Sequence, residues 1–125
     1  MAHTHLSICL HLNNGGRIGP GKIALLEAVQ AKGSIKAAAR HLGMSSRRAW
    51  LLVQQINDAL TQRAVATPQG RRQGSAVVTP VGEGVINLYH SIENLMRTAA
   101  FQELQEIARL TRRRALAQLY QLAGS

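Results

Sequence analysis

The chain opens on an alternation. Across 3–12 (HTHLSICLHL), Leu6, Ile8, Leu10 and Leu12 fall on one face, and His3, His5, Ser7, Cys9 and His11 on the other. A period of two marks a half-buried strand. Asn13-Asn14-Gly15-Gly16 ends it with turn residues, and Pro20-Gly21 leads into a first helix, about 21–31. In that helix Ile23, Leu26 and Val29 or Leu25 keep helical spacing until Gly33 stops the run. Ser34 is placed to cap a short helix with Ile35, Ala38, Ala39 and Leu42 on one stripe, which Gly43 breaks. A longer helix restarts at Ser45 or Ser46 and runs to about Leu60. At roughly 100° per residue, Ala49, Val53, Ile56 and Leu60 share a narrow arc, while Arg47, Leu51, Gln54 and Asp58 point the opposite way. Arg48 and Gln55 lie on one flank. Trp50 and Asn57 lie on the other, where Trp50 is expected to pack against the element that follows.

Two short β-like runs, 64–67 and 76–79, enclose PQGRRQGS, a polar, doubly basic segment that predicts a hairpin. Thr79-Pro80 then suits a helix start, threonine as N-cap and proline at the first helical position. Val85, Tyr89, Ile92, Met96 and Ala99 recur at threes and fours, and the pattern continues through Phe101, Leu104 and Ile107. It is interrupted at Arg112-Arg113-Arg114, which reads as a solvated basic tail, and can resume at Leu116 and Leu119. The expected organisation is an N-terminal strand and turn (1–17), a helical and hairpin unit (18–81), and a long helix with a basic tail (82–125).

Composition narrows the class. The 125 residues suffice for one domain with a real core, and 46% hydrophobic against 17% charged residues excludes a disordered chain. No apolar run nears the roughly 18 residues that span a bilayer. No Lys/Arg-led secretory signal opens the chain, and Cys9 is the only cysteine. A reducing, cytoplasmic setting with no membrane partner is expected. Charge changes the picture most. Fifteen Lys and Arg, twelve of them arginine, stand against six acids, a net +9. That excess calls for a polyanion. Four scattered aromatics are too few for single-strand stacking, so duplex DNA is the better partner.

Short helix, glycine turn, longer helix and basic hairpin together make a winged helix-turn-helix. The fold class is mainly α with a small β-sheet, closed by a long C-terminal dimerisation helix. Ala39 and Gly43 sit four apart, where two helices need a small side chain and a residue free to take positive φ.

The run GSIKAAARHLGMSSRRAW (33–50) resembles the N-terminal DNA-binding domain of the ModE molybdate-responsive regulators. The resemblance rests on Gly33-Ser34-Ile35, Ala38-Ala39, Gly43, Ser45, Ala49-Trp50, Asn57, the wing 70–76, Thr79 and Leu88-Tyr89, and it spans about 18–98. It implies a winged-helix repressor or activator that dimerises through the helix after the wing. Ser46 stands where the family has tyrosine, and the wing has fewer glycines and more arginine, so the family's operator is not carried over. Family members continue into a molybdate-binding domain. With the chain ending at Ser125, a stand-alone DNA-binding variant is expected, without molybdate or other oxyanion binding and without a cofactor.

A recognition helix offers its N-terminal side chains to the major groove. Ser45 and Ser46 can donate to phosphate, and Arg47 is long enough to reach guanine O6 and N7. Arg48 and Gln54 are second candidates, one for phosphate and one for a base. Lys36 and Arg40 can grip the backbone, and Arg71 and Arg72 suit phosphate or the minor groove. Val85, Tyr89, Ile92, Met96 and Phe101 are expected in a dimer seam. Two-fold symmetry sets recognition helices about 34 Å apart and requires a near-palindromic site. His3, His5, Cys9 and His11 share a strand face, but same-face neighbours about 6.6 Å apart chelate one ion poorly, so no metal is expected. Six dispersed carboxylates offer no paired acid and base, which argues against an enzyme. A nucleoid- or RNA-associated basic protein without a preferred site is the alternative; a metal- or redox-responsive sensor would only modify the first reading.

Overall fold

The computed structural model describes residues 4–68 and 74–112. Its elements run β1 (Leu10–His11), β2 (Arg17–Ile18), α1 (Pro20–Lys32), α2 (Ile35–Leu42), α3 (Ser46–Ala59), β3 (Val65–Ala66), β4 (Val77–Val78), α4 (Pro80–Ala99) and α5 (Phe101–Leu110). The chain divides into two compact units. One is Ser7–Asn94, and the other joins Met1–Leu6 to Leu95–Ser125.

The first unit is a winged helix-turn-helix. Its first three helices share one continuous core in which Ile23, Leu25, Leu26 and Val29 of α1 meet Ala38 and Ala39 of α2 and Ala49, Val53 and Ile56 of α3. Each such aliphatic side chain contributes roughly 1.5–3 kcal/mol when withdrawn from water, less for the alanines. The helix boundaries follow the capping residues. The Gly33 amide closes α1 onto the Val29 carbonyl at 2.8 Å. Ser34 caps α2, its Oγ accepting from the Ala37 amide at 3.0 Å. Gly43 ends α2 at φ 71°, a left-handed conformation that lets the chain turn sharply into α3.

β3 and β4 pair antiparallel, Val65 with Val78 and Ala66 with Val77. The hairpin is tied to the α1–α2 turn by a Ser34–Ser75 bridge and by the Ala76 amide, which donates to the Gly33 carbonyl at 2.9 Å. Thr79 acts as the expected cap of α4, its Oγ1 accepting from the Gly82 amide at 3.2 Å and donating to the Arg63 carbonyl at 2.6 Å. Gly82 is required by space. A Cβ there would stand 2.4 Å from the Ala64 carbonyl oxygen.

The N-terminal alternation survives, with Leu6, Ile8, Leu10 and Leu12 half-buried and Ser7, Cys9 and His11 exposed. The strand itself is shorter than the alternation suggests. Among the described residues of this run, Leu10 and His11 alone pair as a strand, with Ile18 and Arg17 of β2.

Tyr89 corrects the expected dimer seam. It is 2% exposed, lies in the core of this unit, and its hydroxyl donates to the Ile8 carbonyl at 2.7 Å. A side chain consumed in that way has no surface left for a partner. Burial also raises its phenol pKa above the ordinary 10.0. Val85 packs against the same core in part, and Ile92 is half-buried.

In the second unit the expected single long helix is divided at Ala100 (φ −99°, ψ 14°), so α4 ends and α5 begins there. Neither Met96 nor Phe101 is covered, and α5 buries no residue at all. Thr4, His5, Arg97, Phe101, Leu104, Gln105 and Ala108 line a cavity of about 590 Å³ in this unit. Among the described residues no helix is long and apolar enough to cross a membrane.

Candidate nucleic-acid interface

The turn from α2 into α3 gathers the expected residues. Ser45 is the N-cap of α3, and its Oγ accepts from the Arg48 amide at 3.1 Å. The hydroxyl proton stays available, since a serine oxygen accepts and donates at once. The first helical amides, those of Ser46 and Arg47, have no carbonyl within the helix to bond. No acid stands in the first turn of α3, nor in that of α2. The positive end of the α3 dipole is therefore uncompensated, as an anion site requires.

Ser46, Arg47 and Arg48 are all exposed on this turn, and Lys36 and Arg40 are exposed on α2. Ion pairs join His90 to Glu27 and Glu93, and Arg109 to Glu106. None of the four cations of α2 and α3 is among them. The sequence explains why: from Ala28 to Asn57 there is no carboxylate. Asp58 is the first acid after Glu27, at the far end of α3.

The opposite face of α3 is core, as the periodicity required, with Ala49, Val53 and Ile56 all buried. Gln54 is half-buried and Gln55 exposed. Trp50 departs from expectation. It is 52% exposed rather than packed, and the wing base is held by Asn57. Asn57 Oδ1 accepts from the amides of Ala64 and Val65 at 2.8 and 3.1 Å, and its Nδ2 donates to the Val65 carbonyl at 3.1 Å. This clamp fixes where the wing leaves α3. An Asn at the end of a helix just before a β-like run is the only sequence signal it leaves. Arg71 and Arg72, the wing cations, lie outside the described residues, as do Arg113 and Arg114.

Among the described residues no three His, Cys, Asp or Glu side chains are grouped to hold an ion, and His3 lies outside them.

Comparison with known proteins agrees with this geometry. The chain is 46% identical over 80 residues to the molybdenum-pterin-binding protein MopB of Rhodobacter capsulatus, covering 63% of this chain and 30% of that protein. It is 37% identical over 97 residues to MopA of the same organism, 75% of this chain and 37% of the relative. It is 31% identical over 84 residues to the DNA-binding transcriptional dual regulator ModE of Escherichia coli (strain K12), 64% of this chain and 31% of the relative. These relatives are ModE regulators and molybdenum-pterin-binding proteins. The chain spans about a third of the length of these curated relatives. No protein-family model matches.

The fold is that of the DNA-binding domain in the crystal structure of the CbnR_DBD–DNA complex, with TM-score 0.54 and 17% identity over 70% of this chain and 95% of that one. The ModE-type resemblance of 33–50 and the winged-helix class both hold. The ModE-type relatives are named as regulators and molybdenum proteins, not as enzymes, in keeping with the dispersed carboxylates.

Proposed function

We propose that this chain is a sequence-specific, duplex-DNA-binding transcription regulator that acts as a homodimer on a near-palindromic operator. One observation carries the reading. The N-terminal turn of α3 presents an N-cap hydroxyl, free amides and the exposed Arg47 and Arg48 with no acid in that turn. The ModE-type relatives and the winged-helix fold support it. Arg47 is the base reader, while Ser45, Ser46, Arg48, Lys36 and Arg40 hold phosphate. Gln54 is a second base candidate, and Arg71 and Arg72 reach the backbone or minor groove from the wing. The dimer forms through Met96, Phe101 and the exposed apolar positions around them, and Val85 and Ile92, in the other unit, are further candidates for contact with the second copy.

Selection of bound sequences from a random duplex pool tests this directly. A motif with two-fold symmetry is expected, whereas enrichment without any motif points to a nucleoid- or RNA-type basic protein. In titrations against the selected duplex, Arg47→Ala is expected to relax preference at one base position, costing roughly 1–3 kcal/mol. Arg71→Ala should weaken all duplexes alike. An Arg47→Ala variant that also weakens every sequence alike removes Arg47 as the reader.

A further inference from the structure

The outer face of α3 contains a residue that folding does not explain. At roughly 100° per residue, Leu51 lies about 165° from the centre of the arc formed by Ala49, Val53 and Ile56. No position on this helix is turned much further from the core, yet it carries a leucine, and that leucine is 50% exposed. Amphipathic patterning puts a polar residue at such a position unless the apolar side chain has a partner outside the fold.

Its neighbours define that partner. One turn earlier on the same stripe is Arg47, one turn later Gln54, and then the acidic Asp58. Residues four apart on a helix have Cβ atoms about 6 Å from one another. Leu51 is therefore next to the proposed guanine reader and within the acid-free part of the helix. Asp58, about 16 Å from Arg47 along the axis at 1.5 Å per residue, is the first acid on this stripe. Within a cationic major-groove surface, the apolar feature available to a leucine is the 5-methyl group of thymine.

We infer that Leu51 is a specificity-determining residue that packs against a thymine methyl beside the base read by Arg47. The inference rests on the DNA-binding reading above. Trp50, also exposed but turned about 100° from Leu51 around the helix, lies on the flank it shares with Asn57.

The test uses the full chain and the duplex obtained by random-pool selection, with deoxyuridine replacing thymidine one position at a time. Uracil keeps every hydrogen-bonding group and lacks only the methyl. Binding is read by fluorescence anisotropy. For the wild-type chain, one thymine per half-site should lose about fourfold in affinity on replacement, the worth of one buried methyl. In Leu51→Ala the thymine and uracil duplexes should bind equally, while the guanine preference assigned to Arg47 persists. Leu51 is outside the core, so this variant keeps the fold. A wild-type chain indifferent to uracil everywhere overturns the inference and leaves the DNA-binding reading intact. So does a Leu51→Ala variant that retains the full uracil penalty. A pool that yields no preferred sequence overturns both.

Discussion

α3 and α5 are amphipathic helices of similar kind in the sequence, yet the structure treats them oppositely. On α3 the core-facing stripe is used up: Ala49, Val53 and Ile56 are at most 2% exposed, and the opposite face carries Arg47, Leu51, Gln54 and Asp58. On α5 nothing is buried, and Phe101, Ile107 and Leu110 stand 58%, 55% and 78% exposed, with Leu95 and Met96 at the end of α4 similarly bare. Periodicity shows that a helix has an apolar face. It does not say whether the chain's own core or another molecule covers that face. A bare stripe of this length is unusual for a surface that meets only water, and a second copy is its proposed cover.

The comparison can be broken most forcefully at two aromatic residues. Tyr89 lies in the core and Phe101 on the bare stripe. Tyr89→Ala should lower the unfolding free energy in urea by about 3–5 kcal/mol, the usual cost of deleting a large core side chain. Phe101→Ala should leave unfolding at high dilution within about 0.5 kcal/mol of wild type. In sedimentation it should weaken self-association by at least about 1 kcal/mol. If Phe101→Ala unfolds the dilute chain as readily as Tyr89→Ala does, α5 is a core element and the contrast disappears.

A sharper, smaller contrast lies within α3 itself. Asn57 and Gln55 are both polar residues near its end, but Asn57 satisfies two backbone amides and one carbonyl of the wing base, while Gln55 is exposed. Asn57→Ala should cost about 3 kcal/mol, because Ala64 and Val65 are buried and their amides lose their acceptor. Gln55→Ala should change stability by no more than about 0.5 kcal/mol. Thermal melts of the two variants side by side check the difference.

These contrasts also show what could be read from the sequence. Helix limits were legible wherever a side chain or glycine dictates them locally: Ser34, Gly43, Ser45 and Thr79 each cap or stop a helix as their chemistry requires. The cationic turn was legible because it needs only the order Ser45-Ser46-Arg47-Arg48 and the absence of acids around it. Tyr89 was misread because its partner, the Ile8 carbonyl, is 81 residues away, and an i, i+3, i+4 pattern cannot distinguish a seam from a core. Trp50 was misread for a related reason. Its flank faces the wing, but the short amide of Asn57 on the same flank takes the position nearest the hairpin. The need for a glycine at 82 is not legible in sequence, because it comes from the Ala64 carbonyl, which is 18 residues away along the chain.

The smallest effect concerns the contact between α1 and α4. His90 Nδ1 lies 2.9 Å from Glu93 on its own helix, and Nε2 lies 3.5 Å from Glu27 on α1. The hydrogen bond to Glu93, helped by the charge of Glu27, raises the imidazole pKa above the ordinary 6.5, against a partial desolvation that lowers it. A histidine whose folded pKa is raised adds stability that is fully present below 6.5 and is lost as pH rises through the folded value. With the ring about half exposed, solvent screens much of the interaction. His90→Gln should therefore melt slightly below wild type in mildly acidic buffer, and the gap should close as the buffer is made alkaline. A gap that stays constant with pH, or widens toward alkaline buffer, would mean that His90 acts here by packing rather than by its charge.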